Sequence, residues 1–388
     1  MRKALCLSVA AILVPQSIVA AEPGATSFPA LVGAIDVILQ SDIATQSTLP
    51  DKQMSDTYLV AIGRLGTFFT PELSLRSTIT FEPVRSASQS RAFQDEGAFI
   101  EELNLKWEKG PLIVYGGKFN PGFGLAGKFA PGLYGADFAG DYLVREAIGA
   151  GGSYAIDAGP LGTLAPGAAV FFLDNTFLSN AYITRARYGQ TDSSRYRAMR
   201  GWYGGVGNTE SPSSFALTLD ASDIPALPGL ELHLGYDVLR HGQDGTQDQM
   251  AQVAGARYPL TLSKAVTLTP IAEYARIQHV GGAVIDSSTG QSMNQDARYI
   301  TFGIEATNGG WSASAVRSYR WNIEPDDGTG LNGFSNLDRT VTASAGYTFA
   351  MGLGIAIGWK RTHTYDSILG QIGDTETWGV QSTYGVQF

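Results

Sequence analysis

What most limits the folds open to this chain is its final stretch, Thr377 to Phe388. Trp378, Val380, Tyr384, Val386 and Phe388 share one parity, interrupted only by Ser382; Gly379, Gln381, Thr383, Gly385 and Gln387 share the other. Successive strand side chains point to opposite faces, so this is a strand with one aromatic, apolar face and one small, polar face. At the edge of a soluble β-sandwich it would leave an aromatic strand open to pairing with another chain. A closed barrel in a bilayer removes the edge and gives the aromatic face a lipid partner. The pattern therefore predicts the wall of a transmembrane antiparallel β-barrel, and the rest of the chain has to supply the other strands.

It does so with one texture throughout. Ala30 to Ser41 and Asp56 to Phe69 read as strands. Thr70-Pro71-Glu72 turns the chain into Leu73 to Val84, where Leu73, Leu75, Ile79 and Phe81 alternate with Arg76, Thr78, Thr80 and Glu82. Phe99 to Glu108 sets Leu103, Leu105 and Trp107 outward and Glu102, Asn104, Lys106 and Glu108 inward. After Lys109-Gly110-Pro111, the strand from Leu112 to Asn120 is predicted to set Ile113, Tyr115 and Phe119 opposite inward-facing Lys118 and Asn120. Eleven further strands fall near 144–157, 164–173, 214–221, 230–240, 249–258, 266–277, 298–307, 311–321, 339–349, 353–362 and 377–388. The count is about sixteen, bounded by about fourteen and eighteen, an even number as such barrels require. The weak alternation over 144–173 and 249–258 sets those bounds. Short turns and long loops alternate, which puts the short ones on one rim, the periplasmic one in such barrels. No linker divides the chain, so one all-β domain is expected over 22–388.

The beginning sets the compartment. Arg2 and Lys3 precede an apolar run from Ala4 to Val14 and small residues up to Ala21. That is a signal peptide, 1–21, with Val19 and Ala21 at the −3 and −1 positions of the cleavage site. Cys6, the single cysteine, would leave with it. No later segment has about eighteen uninterrupted apolar residues, so helical spans are not expected. A net charge of −9 argues against nucleic acid as partner.

The terminal strand resembles that of Gram-negative outer-membrane barrels, in which the barrel assembly machinery reads a C-terminal Phe. The resemblance gives Trp378, Tyr384 and Phe388 the role of an assembly signal. The layout resembles general porins, with their loop after the fifth strand folded into the lumen as a constriction. Here that segment runs Gly-Lys-Phe-Asn-Pro-Gly-Phe-Gly from Gly117 to Gly124 and on to Tyr142, rich in glycine and aromatics, and is also similar to a segment of uncharacterised porin-like proteins. The Pro-Glu-Phe-Gly-Gly-Asp loop of general porins is not present. By this resemblance the chain is an outer-membrane porin, a passive channel for small hydrophilic solutes in contact with lipid and lipopolysaccharide, in the arrangement of a homotrimer. Asp137 and Asp141 would stand on the loop, facing Lys106 and Lys118 on the wall.

Parity supplies the other pore candidates: Arg76, Glu82, Glu102, Glu108, His233, Asp237, Glu273 and Lys360, with Arg64 the least regular. Arg or Lys on the lipid face costs roughly 2–4 kcal/mol at the midplane, so inward placement is favoured. Such charges either sort ions or pair across strands and stiffen the wall. Arg185, Arg187, Arg195, Arg197 and Arg200, interleaved with Tyr188 and Tyr196, read foremost as a solvated loop, and otherwise as candidates for lipopolysaccharide phosphates or for attraction of anionic solutes. A substrate-specific channel or a surface receptor or adhesin barrel is the alternative. A barrel hydrolase is weaker still, resting on His241 with Asp244 and His363 with Asp366 and lacking any catalytic or metal motif. No cofactor and no enzymatic activity are expected.

Overall fold

A computed structural model describes residues 27–49, 52–183, 204–243, 245–282, 284–285, 292–293, 296–323, 336–366 and 371–388. The predicted signal peptide and the Arg185–Arg200 cluster lie outside them. Among the described residues sixteen long strands form one closed antiparallel barrel. They are β1 (Ala30–Ser47), β2 (Ser55–Phe68), β3 (Leu73–Pro83), β4 (Glu96–Lys109), β5 (Leu112–Phe119), β6 (Ala147–Tyr154), β7 (Thr163–Leu173) and β8 (Ser214–Ser222). The second half comprises β9 (Glu231–Leu239), β10 (Gln249–Arg257), β11 (Val266–Gln278), β12 (Asp296–Asn308), β13 (Trp311–Ile323), β14 (Asn336–Thr348), β15 (Gly354–Asp366) and β16 (Gln371–Gln387). Each strand pairs with the next, and β16 returns to β1 in a register from Ala34↔Gln387 to Ile43↔Trp378.

Two of the tightest turns show why the rim is sharp. Gly110 (φ +55°) joins β4 to β5 and Gly309 (φ +57°) joins β12 to β13; both adopt the left-handed backbone that glycine enters without a Cβ penalty. The short turns share a rim with both barrel termini, and the long connections occupy the other.

The wall has two faces with opposite chemistry. In β1 the side chains of Leu31, Ile35, Leu39 and Ile43 are exposed outward, whereas Asp36, Ile38 and Gln40 are buried inward. In β16 Trp378, Val380, Tyr384, Val386 and Phe388 are outward and exposed, as the terminal pattern predicts. With no aqueous partner for that band, an apolar outer face requires a bilayer. Described helices are a single turn or so, and none is long and apolar enough to cross a membrane.

The last residue closes the seam. Gly33 N–H donates to the Phe388 carbonyl at 2.8 Å, and Phe388 N–H donates back to Gly33 at 2.9 Å. A Cβ on Gly33 would come within 2.5 Å of the Phe388 ring. The ring thus lies on the bare backbone of β1, at the start of the seam. Deleting Phe388 is expected to lower the yield of folded, heat-modifiable barrel while leaving the conductance of the folded fraction unchanged. Gly33→Leu should lower the yield as well, by displacing the ring. Normal membrane levels of both variants would refute the role.

The lumen and the segment folded into it

β5 leads into residues 120–146, and this segment folds into the barrel instead of capping it. Glycine, alanine and aromatics dominate it, so it can lie flat against a wall; Phe123, Ala126, Leu133, Tyr134, Phe138 and Tyr142 are buried. It runs along the inner face of β9 to β16 and reaches β1, held by polar side chains along that path.

At its start, Gly124 N–H donates to His233 Nε2 at 3.0 Å, while His233 Nδ1 lies 2.7 Å from Asp220 Oδ1. Glu273 on β11 receives the next donors: Leu125 N–H, Ala126 N–H at 3.0 Å, and the Tyr142 hydroxyl at 2.5 Å. Further along, Leu133 N–H donates to Ser344 Oγ at 3.1 Å and the Tyr134 hydroxyl to Asp42 Oδ1 at 2.6 Å. Asp137 pairs with Lys360 at 2.7 Å, and Asp141 with Arg320 at 2.7 Å. Arg320 also binds Asp338 at 2.6 Å and covers the Phe138 ring, while Lys360 covers Tyr134. The phenols of Tyr134 and Tyr142 are pushed well up by burial and then by Asp42 and Glu273, so both remain donors. Burial also raises the Asp141 carboxyl, against the pull of Arg320.

A cavity of about 330 Å³ runs along β2 to β5, between Arg64, Arg76 and Lys106 on the wall and Glu102, Asn104, Tyr115 and Asn120 around it. Arg64 is paired with Asp36, and Lys106 lies 2.9 Å from Glu108. Glu102 accepts from Thr78 Oγ1 at 3.1 Å and from Asn120 N–H at 3.2 Å. Arg76 donates to Ser74 at 3.0 Å and lies over the Phe68 ring; among the described residues it has no carboxylate partner.

The sequence-derived candidates therefore divide into groups. Arg64, Arg76, Glu102, Lys106 and Glu108 are inward on the open side, and Glu82 shares their parity near the outer end of β3. His233, Glu273 and Lys360 are inward as well, but they hold the inserted segment. Asp237 is inward and buried, and among the described residues its carboxylate oxygens have no hydrogen-bond partner. Lys118 departs from expectation. The register Lys106↔Tyr115 and Asn104↔Gly117 turns Tyr115 and Phe119 into the lumen and Lys118 to the outer side. There it is buried under residues 174–183, with Nζ 3.0 Å from Glu146, 2.7 Å from Asp174 and donating to the Leu178 carbonyl at 3.1 Å. Lys118 and Lys106 thus do not face Asp137 and Asp141; Lys360 and Arg320 do. Arg320, Asp42, Tyr134 and Tyr142 were not singled out from the sequence, because their partners are distant in the chain. The histidines near the outer rim find other acids than those adjacent in sequence. His363 Nδ1 lies 3.1 Å from Asp374, and His241 Nδ1 lies 2.7 Å from Asp248; Asp244 lies outside the described residues.

No protein-family model matches the sequence, and no curated protein matches it. Solved structures do match. The outer membrane channel DcaP of Acinetobacter baumannii aligns with a TM-score of 0.56 at 10% identity, over 92% of this chain and 96% of that one. A loop-deletion mutant of OmpT, an outer membrane protein of Vibrio cholerae, aligns with a TM-score of 0.50 at 11% identity, over 92% and 98%. At such identities the likeness establishes a shared barrel fold.

Proposed function

We propose that this chain is an outer-membrane channel through which small hydrophilic solutes diffuse, narrowed by the segment 120–146. The observation that carries this is the inserted segment itself. Ion pairs and hydrogen bonds pin it to one half of the inner wall, and the cavity along β2–β5 borders its other side. A barrel of about sixteen strands is wide enough for an aqueous path. A segment fixed against the wall reduces that path without closing the barrel, and the charged groups facing the residual space would sort ions weakly. No chemistry and no cofactor enter. The fold shared with a protein described as an outer membrane channel supports the assignment. Export with cleavage near Ala21 belongs to the same reading, and N-terminal sequencing of protein from an outer-membrane fraction tests it.

Planar-bilayer recording of the purified chain tests conduction. Asp137→Asn combined with Asp141→Asn leaves Lys360 and Arg320 less balanced at the constriction, so the anion-to-cation permeability ratio should rise several-fold. Shortening the segment between Gly127 and Gly140 should raise conductance. Parent-like behaviour in both variants would show that ions do not pass beside the segment. A parent that never conducts would favour a receptor or adhesin.

A further inference from the structure

The arginines of the barrel wall fall into two sets. Arg64, Arg76, Arg257 and Arg320 point into the lumen. Arg276, Arg298, Arg317, Arg339 and Arg361 stand on the outward parity of five consecutive strands, β11 to β15, toward the rim of the long loops. No other described strand carries an outward arginine.

Their spacing is close. Arg276 and Arg298 are direct cross-strand partners. Arg339 lies opposite Tyr319 on one side and His363 on the other. Arg317 and Arg361 both lie opposite Val341, so they flank Arg339 on the diagonals. Diagonal neighbours are about 7–8 Å apart, within reach of long side chains. Arg298, Arg317 and Arg339 have no carboxylate partner among the described residues. Arg276 has Asp296 at 3.4 Å; Arg361 stands 3.9 Å from Asp374 and directly across the ladder from Glu376, whose carboxylate accepts from Trp359 Nε1 at 3.0 Å. Like charges opposite one another destabilise a sheet, and an unpaired arginine on a lipid face is unfavourable until it reaches the interface. An anion supplied by the membrane would match the arginines of this cluster that have no carboxylate partner. Below the cluster, the pairs Ala313↔Ala345 and Ala315↔Ala343 leave a shallow trough between Ile304 and Ile357. The stacked Tyr319 and Trp321 mark the interfacial height.

We propose that Arg317, Arg339 and Arg361, with Arg298 at their edge, bind the phosphates of a phosphorylated outer-leaflet glycolipid of the lipid A class, its acyl chains lying in the alanine trough. Guanidinium groups match phosphate bidentately, and several on one wall suit a headgroup with more than one phosphate. The choice of leaflet rests on the outer-membrane reading; the site does not involve the lumen.

The test uses the full mature chain refolded in neutral detergent. Native mass spectrometry would measure its affinity for hexa-acylated, bis-phosphorylated lipid A and for the same lipid after phosphatase treatment. Arg317→Gln, Arg339→Gln and Arg361→Gln together should weaken binding of the phosphorylated lipid about tenfold or more, as the loss of charge-assisted contacts predicts. Arg76→Gln in the lumen should not. The dephosphorylated lipid should bind the parent and the triple variant alike. Equal affinity of parent and triple variant for the phosphorylated lipid overturns the proposal, and so does an equal loss for both lipids. A change of oligomeric state with unchanged lipid affinity would make the surface a contact between copies and also overturn it. Arg339→Gln alone, expected to weaken binding several-fold, serves if the triple variant does not fold. Conductance separates the two readings: the triple variant should conduct like the parent, and a silent parent would end the channel assignment without touching the lipid result.

Discussion

Replacing Glu273 by alanine is expected to raise single-channel conductance and its fluctuations while leaving the barrel folded. Glu273 is buried and accepts three bonds from the inserted segment, two from backbone N–H groups of Leu125 and Ala126 and one from the Tyr142 hydroxyl. Those donors come from both ends of the segment, so one carboxylate gathers its entry and its return. Each buried donor left unmet costs roughly 1–3 kcal/mol, so with three donors the segment loses on the order of 3–9 kcal/mol of its hold on the wall. The strands around Glu273 keep their ladders, because Gly255 and Thr301 pair with it through backbone alone. Glu273→Gln, which keeps one acceptor oxygen, should fall between alanine and parent. Bilayer recordings together with gel mobility before and after heating check both halves. A parent-like conductance for the folded alanine variant would mean that Glu273 is not what holds the segment.

The barrel was legible because lipid and water impose opposite demands on alternate residues. Wherever one side of a strand faces lipid and the other the lumen, the parity of leucine against glutamate or lysine decides the orientation, as in β3, β4 and β16. The rule fails at the outer end of β5, where the outward side of Lys118 is covered by protein and not by lipid. Tyr115 and Phe119 pack inward with Phe171, and Lys118 is satisfied outside by Glu146 and Asp174. A different sequence signal carried the right answer. The two-residue connection Gly110-Pro111 fixes Lys109 opposite Leu112, which puts Tyr115 opposite Lys106. Turn length sets register, and register sets face. The candidate site was only half legible. Inward placement of Glu273, His233 and Lys360 follows from parity. Their attachment to the inserted segment does not, since Asp137 and Lys360 are joined by tertiary packing and not by any local pattern.

Lys118→Met should be the most damaging single change in the barrel wall, although the residue touches neither solute nor lipid. Lys118 sits between Glu146, which precedes β6, and Asp174, which follows β7, and all three are almost fully excluded from solvent. The chain leaves the wall for the lumen just after Lys118 and rejoins it at Glu146, where Glu146 N–H donates to Asn120 Oδ1 at 2.7 Å. Asp174 N–H donates to the Glu146 carbonyl at 2.8 Å, and the Asp174 carboxylate accepts from Thr176 N–H at 2.8 Å. One ammonium thus ties together both ends of the inserted segment and the start of the next loop. Removing one partner of a buried ion pair typically costs 3–5 kcal/mol, because the other charge stays buried without compensation; here two carboxylates are stranded. The variant should lose heat-modifiable protein at lower temperature than the parent. Surviving channels should fluctuate, since the segment is untied where it enters and leaves. Adding Glu146→Gln and Asp174→Asn should recover much of the loss, because neutral groups of similar shape remove the stranded charge and keep the acceptor for Thr176. If Lys118→Met melts with the parent, or if the triple variant melts below the single one, the buried charges are not what fastens the segment.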